Sequence, residues 1–331
     1  MARVLPFLDR KLISWACWLI LLALLIALFR NIAASSFLLF STYFLGIFIE
    51  AAPFLLLGAF ISGLLEAFVH RDDLARLIPT RLLPATVMGA LLGFIFPVCE
   101  CGVVPVVRRL FRKGMPLSVG VALLLAAPVM NPVVFASTYI AFGWGPLLWG
   151  RFAITFVVAV TVGLVFSRAQ PAEVLLHGGV GEELSLVARR PPWRSGLTSA
   201  ARVAIDDFFD MGRFLVVGAL LAAALQTFAD SRLLLEIGQA PVRSVFAMQL
   251  LGYVLSVCST VDAFLALSFA GSFSSGALLA FLTYGPMIDI KSTLMFSAVF
   301  RRPVLVVLII LPLLMTALIS IWLNLNLALG G

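Results

Sequence analysis

Two short stretches hold the residue types that could do chemistry. The first is Pro97-Val-Cys99-Glu100-Cys101-Gly102, a carboxylate set between two thiols. The second is Ser256-Val-Cys258-Ser-Thr260-Val-Asp262, in which a thiol and two hydroxyls lead to an acid. Thiolates are soft ligands, suited to thiophilic metals or comparable species. Burial disfavours the charged form of a carboxyl, which lets it exchange protons nearer neutral pH. Two further stretches, Ala127-Pro128-Val-Met-Asn131-Pro132 and Tyr284-Gly285-Pro286-Met-Ile-Asp289, place an amide and an acid at breaks in apolar sequence. Cys99, Cys101, Cys258, Thr260, Asn131 and Asp289 are therefore the candidate substrate-binding residues. Glu100 and Asp262, with Glu50 and Asp210, are the candidates for proton coupling.

A plainer reading stands beside each choice. A buried free cysteine is often just a small apolar residue, and Cys17 is read that way. Cys-x-Cys lacks the usual zinc spacing, so no metal site is expected. The acids could be structural, with Lys291 balancing Asp289 and Arg213 balancing Asp210. Proline kinks alone would be ordinary in membrane helices. They do not explain carboxylates beside them, each costing about 2.5–3.5 kcal/mol at a bilayer centre. His70 and His177 fall in expected loops without motif partners. No phosphate-binding GxxxxGK[ST] loop and no Ser/His or metalloprotease constellation is present, so neither an enzyme nor a cofactor is expected.

These residues need elements to position them, and composition says which kind. Of 331 residues, 62% are hydrophobic and 12% charged, far from the balance of a soluble domain. The expected class is an all-α integral membrane protein. A formal charge of +7 is read as basic cytoplasmic loops rather than a nucleic-acid surface. Apolar runs fall at about 12–28, 36–69, 82–107, 114–142, 146–167, 197–229, 241–270, 274–299 and 303–326. The first follows Arg3, Arg10 and Lys11 and reads as an uncleaved anchor helix. The expected organisation is an anchor at 1–35, a membrane repeat at 36–167, a cytoplasmic linker at 168–196 and a second repeat at 197–331.

The repeat is visible in the residues. Phe48, Glu50, Phe54, Gly58 and Ala59 recur as Phe208, Asp210, Phe214, Gly218 and Ala219 at an offset of 160. Val98-Cys99 recurs as Val257-Cys258, and Pro128 and Asn131 as Pro286 and Asp289. Arg108-Arg109-Leu-Phe-Arg112-Lys113 is strongly basic, whereas its counterpart near 267–272 carries no charge. Matched elements with opposite charge bias predict halves of inverted topology. Each half is expected to hold three spans and a re-entrant hairpin, since the apolar stretch after Cys101 is too short to cross again. The N-terminus is expected in the cytoplasm, the C-terminus outside. Paired breaks in two such repeats are the usual pointer to a transporter's substrate site.

The run from Phe96 to Gly120 with Cys-Glu-Cys-Gly, continued by Ala126-Ala-Pro-Val-Met-Asn-Pro-Val, resembles the bacterial predicted-permease family that includes the ArsP organoarsenical exporters and YraQ-like proteins. Ser256-Val-Cys-Ser-Thr-Val-Asp-Ala-Phe and Tyr284-Gly-Pro-Met-Ile-Asp-Ile-Lys-Ser resemble its second-half motifs. The resemblance covers roughly 36–325 and implies a multi-pass permease of the bacterial inner membrane. The function expected from it is proton-coupled efflux of a small thiophilic solute such as a trivalent organoarsenical. Two alternatives stay open: a carrier of another small metabolite or anion held at broken-helix N-termini, and a non-transporting membrane complex subunit. Expected partners are the lipid bilayer and a small-molecule substrate, not nucleic acid; a homo-oligomer is left open.

Overall fold

The computed structural model describes residues 34–69, 71–95, 99–176, 193–228 and 242–328. The expected anchor with Cys17, both histidines and the middle of the linker lie outside these residues. The first half runs α1 (Ala34–Phe68), α2 (Arg71–Leu77), α3 (Leu82–Ile95), α4 (Glu100–Arg112), α5 (Leu117–Ala126), α6 (Pro132–Phe142), α7 (Pro146–Phe166) and the single turn α8 (Pro171–Val174). The second runs α9 (Trp193–Phe228), α10 (Arg243–Leu255), α11 (Asp262–Phe269), α12 (Ser275–Met287), α13 (Ile290–Phe296) and α14 (Arg302–Ala328). Among the described residues, extended pairing is limited to an isolated bridge between Leu175 and Phe300.

Four helices are long and apolar enough to cross a membrane: Phe37–Phe68, Pro146–Phe166, Gly196–Thr227 and Arg302–Asn326. They form much of the wall. On α14, Val306, Ile310, Leu314, Leu318, Trp322 and Leu325 are exposed at helical spacing, as a lipid-facing stripe requires. The interior belongs to the short helices. All of α5 is buried, and α12 is buried from Gly276 to Met287. A helix apolar on every side is stable only inside other protein or lipid.

The short helices come in broken pairs, and local chemistry explains the breaks. Pro128 and Pro132 lack the N–H that a continuing helix needs. Asn131 restarts the chain as the cap of α6, its Oδ1 accepting from Val134 N at 2.9 Å, with Pro132 at the first helical position. Asp289 does the same for α13 through a reciprocal box with Ser292: Ser292 N donates to Asp289 Oδ1 at 2.6 Å and Asp289 N to Ser292 Oγ at 2.8 Å. The two repeat-matched residues thus do one structural task.

Contacts show where the ends lie. Lys113, just after α4, donates to the carbonyls of Glu66 and Val69 at the end of α1. Phe111 packs edge-on against Phe300, beside the bridge to Leu175. The start of α3, the end of α4, the linker and the start of α14 therefore share one side, with most of the first half's arginines. On the other side, Ser244 lies 3.5 Å from Ser274, and Asn324 accepts from Gly276 N. Tyr139, Trp144 and Trp149 sit exposed around the turn that joins α6 to α7 and pack on one another, in the manner of a membrane-interface belt. The α3–α4 hairpin thus ends on the side where it starts, whereas α5–α6 and α12–α13 pass between the sides. At 13 residues, α4 spans about 20 Å, too short for a ~30 Å hydrocarbon core.

Two glycines bring the long helices against the broken ones. A Cβ on Gly58 would lie 2.2 Å from the Gly102 carbonyl oxygen, and one on Gly218 would lie 2.8 Å from Lys291 Cα. Only glycine allows these approaches. Both are repeat-matched positions; Gly218 seats its helix beside Lys291, and Gly58 seats its own beside Gly102, the residue after Cys101.

Candidate functional site

Glu100 opens α4 and Lys291 sits in the first turn of α13, so two half-helix N-termini face each other across the halves. Lys291 Nζ lies 3.3 Å from Glu100 Oε1 and 3.4 Å from Asp289 Oδ2, and donates to the Ser256 carbonyl. All three ionisable side chains are 2% exposed. The Ser256 carbonyl is aimed by an unusual backbone: Ser256 closes α10 at φ 50°, ψ 39°, the left-handed region that a non-glycine residue enters at a cost of about 1–2 kcal/mol.

The thiols gather around this triad. Cys99 caps α4, Cys101 lies in its first turn, and Cys258 follows the left-handed turn; all are buried and free. Cys258 lies within electrostatic range of Glu100 and Cys99, and Cys101 of Cys99 and Lys291. Thr260 Oγ1 is 3.5 Å from Cys258 Sγ.

A second buried pair adjoins the first. Arg151 of α7, with no exposed surface, places one terminal nitrogen 2.7 Å from Asp262 Oδ2 and 3.3 Å from the Ser259 carbonyl. Its other terminal nitrogen donates to Thr138 Oγ1 at 2.8 Å. Asp262 in turn lies in the field of Glu100. Ion pairs taken out of water lose several kcal/mol of solvation per ion, which only full hydrogen bonding restores. Here it is not full. Glu100 Oε2, Asp262 Oδ1, Arg151 Nε and Ser259 Oγ are buried without a partner.

Asn131 is buried but spends its amide on its own helix and the Pro128 carbonyl. Glu50 is partly buried on α1, eight residues before Gly58. Asp210 is half exposed and pairs at 3.5 Å with both Arg108 and Arg213, so the balancing role expected of Arg213 is present but shared.

A different network surrounds the basic end of α4. One terminal nitrogen of Arg109 donates to both oxygens of Asp207 at 3.0 Å each, while Ser62 Oγ donates to the same carboxylate at 2.6 Å. Glu66 lies 3.8 Å from Arg109 and 3.5 Å from Lys113. This ties α1 and α4 of the first half to α9 of the second.

Comparison with known proteins follows the same boundaries as the described fold. The predicted-permease family ArsP_1 matches residues 36–325. The chain belongs to this family. It is 42% identical to UPF0718 protein YcgR of Bacillus subtilis over 82% of this chain and 92% of that protein. It is 34% identical to a Streptococcus mutans protein named "Putative two-component membrane permease complex subunit", over 83% of this chain and 91% of that one. UPF0718 protein YraQ of Escherichia coli matches at 26% over 31% of this chain and 29% of its own length. No solved structure matches the chain.

For this permease, sequence reasoning names the acids and pairs Lys291 with Asp289 and Arg213 with Asp210, as the structure does. It passes over the reach of Lys291 to Glu100, and Arg151 altogether. Yet Arg151 is the one charged residue in the apolar run 146–167, and a lone intramembrane cation is a signal of the same kind as a lone acid.

Proposed function

We propose that this permease is a secondary transporter of a small thiophilic solute, with trivalent organoarsenicals as the substrate class to try first. Cys99, Cys101 and Cys258 supply the soft ligands, and Thr260 and Asp289 border them. Glu100 and Asp262 carry the coupling proton. Asn131 shapes the break through which the solute passes, and Glu50 and Asp210 serve proton entry at the periphery. The observation that supports this best is the meeting of three free thiols with the Glu100–Lys291–Asp289 triad, where elements of both halves touch.

The two halves, 36–167 and 197–331, are inverted repeats in this reading, preceded by an anchor at 1–35 and joined by a linker at 168–196. The α3–α4 hairpin returning to its starting side supports a re-entrant element. Arg168 of the linker and Arg301–Arg302 on that side support its assignment to the cytoplasm. The protein then sits in the inner membrane of a bacterium with its N-terminus inside.

The test is uptake into everted vesicles of a panel of trivalent organoarsenicals and non-thiophilic anions, with wild type and single Cys→Ser variants. Accumulation of the thiophilic members, lost by tenfold or more in C99S, C101S or C258S at unchanged protein level, is the expected result. Equal transport by all three variants would end the thiol proposal. A second reading, a subunit of a membrane permease complex, draws on the name of the Streptococcus mutans relative. It expects the purified chain to transport nothing until a partner protein is added.

A further inference from the structure

The two buried clusters do not balance. Glu100, Asp262 and Asp289 contribute three carboxylates, against the two cations Lys291 and Arg151. Every one of these side chains is at most 2% exposed. The surroundings supply no further charge among the described residues. Cys99, Cys101 and Cys258 are thiols, and Tyr253 of α10 is a phenol that reaches Thr293 Oγ1 at 3.4 Å. Thr138 of α6 and the Ser256 and Ser259 carbonyls are neutral acceptors. The acids of α9 stay at the basic end, where Asp207 and Asp210 pair with Arg109, Arg108 and Arg213. An uncompensated charge in so dry a place is strongly unfavourable.

The unpartnered atoms show where the deficit sits. Each of Glu100 and Asp262 uses one carboxylate oxygen on its cation and leaves the other, Glu100 Oε2 and Asp262 Oδ1, buried with no donor. Asp289 is different, since Oδ1 accepts from Ser292 N and Oδ2 faces Lys291. A proton on either orphaned oxygen brings the count to zero. Asp262 lies in the field of Glu100, so the single deficit is met by a proton on one acid or the other.

We propose that the resting permease holds one exchangeable proton, shared between Glu100 and Asp262, with Lys291 and Arg151 as fixed counter-charges that set the number at one. This deepens the proton-coupling reading of the same site and rests on it, but its test requires no transport.

Infrared difference spectra of the full chain in lipid nanodiscs at neutral pH, recorded in H2O and 2H2O, report protonated carboxyl groups directly. The expected result is that E100Q and D262N each lose one carboxylic-acid C=O band relative to wild type, because removing either acid alone restores neutrality. K291Q should gain a second band of equal area, and E100Q/K291Q should regain the single band that E100Q loses. D206N, altered at an exposed position of α9, should match wild type. Absence of the band from wild type overturns the proposal. So does its loss in only one of E100Q and D262N, which would fix the proton on one residue, and so does an unchanged K291Q spectrum. A correct band pattern in a protein that fails the vesicle assay would keep the shared proton while removing its assigned use.

Discussion

The centre of the molecule and the basic end of α4 both join the halves through ion pairs, yet they are built to different standards. At the basic end, Arg109 and Lys113 meet Asp207 and Glu66 in equal number, and Ser62 supports the buried Asp207 carboxylate. Glu66 is 37% exposed, so water can reach that network. At the centre the charges are unequal, no member is more than 2% exposed, and four polar atoms have no partner. A balanced, partly wet network is what a structural tie needs. A dry cluster with more carboxylates than cations and with unpartnered polar atoms is costly to keep, a pattern more usual of functional sites than of structural ties.

The comparison breaks most clearly if one chemical change is made in both places. Lys291→Met leaves Glu100 and Asp289 facing each other in a dry interior. Loss of a buried partner of this kind costs about 3–5 kcal/mol. Arg109→Met leaves the buried Asp207 carboxylate with the Ser62 hydroxyl as a remaining partner, and about 1.5–3 kcal/mol is expected, the range for a lost charged hydrogen bond. Thermal unfolding in detergent should therefore place Lys291→Met below Arg109→Met, and adding Glu100→Gln should recover part of the loss. Equal destabilisation would mean that the two networks differ only in location.

The glycines sharpen the same contrast from the packing side. Gly58→Ala and Gly218→Ala push a methyl group into backbone that cannot yield, at Gly102 and Lys291 respectively. Overpacking of this kind costs about 1–3 kcal/mol. Gly46 lies on the same helix as Gly58 with nothing within 4 Å of its would-be Cβ. Gly46→Ala should leave stability unchanged or raise it slightly, since alanine favours helix. If all three variants behave alike in thermal unfolding, close approach is not what these positions provide.

Much of this was legible in sequence where the signal is local. An apolar run of 20 residues announces a span, and Asn131-Pro132 announces a helix start because cap and proline chemistry act within one turn. The repeat carried the rest. Gly58 and Gly218 stand out at one offset, and matching Cys99 with Cys258 forecasts that the two broken segments belong to one site. What stayed hidden are partners chosen by tertiary packing. Lys291 reaches Glu100 across 191 positions and Arg151 reaches Asp262 across 111, and no periodicity links such distances. Asp210 shows the same limit, because its repeat match to Glu50 and its neighbour Arg213 are visible in the sequence whereas its pairing with Arg108 of α4 is not.

The smallest effect separates a carbonyl from a side chain within the central cluster. Lys291 donates to the Ser256 backbone carbonyl, which the left-handed turn aims. The Ser256 hydroxyl turns away and donates to the Tyr253 carbonyl at 3.1 Å. Ser256→Gly removes the hydroxyl and relieves the strained backbone, but adds freedom to the unfolded chain. These terms oppose each other, each on the order of 1 kcal/mol. A net change below about 1 kcal/mol is expected, with vesicle uptake and the carboxylic-acid band intact. Ser256→Pro should behave otherwise, because proline cannot adopt a positive φ and would swing the carbonyl away from Lys291. The pair of substitutions therefore asks whether the centre depends on where the backbone points. Loss of uptake in Ser256→Gly at normal stability would hand the role to the hydroxyl instead.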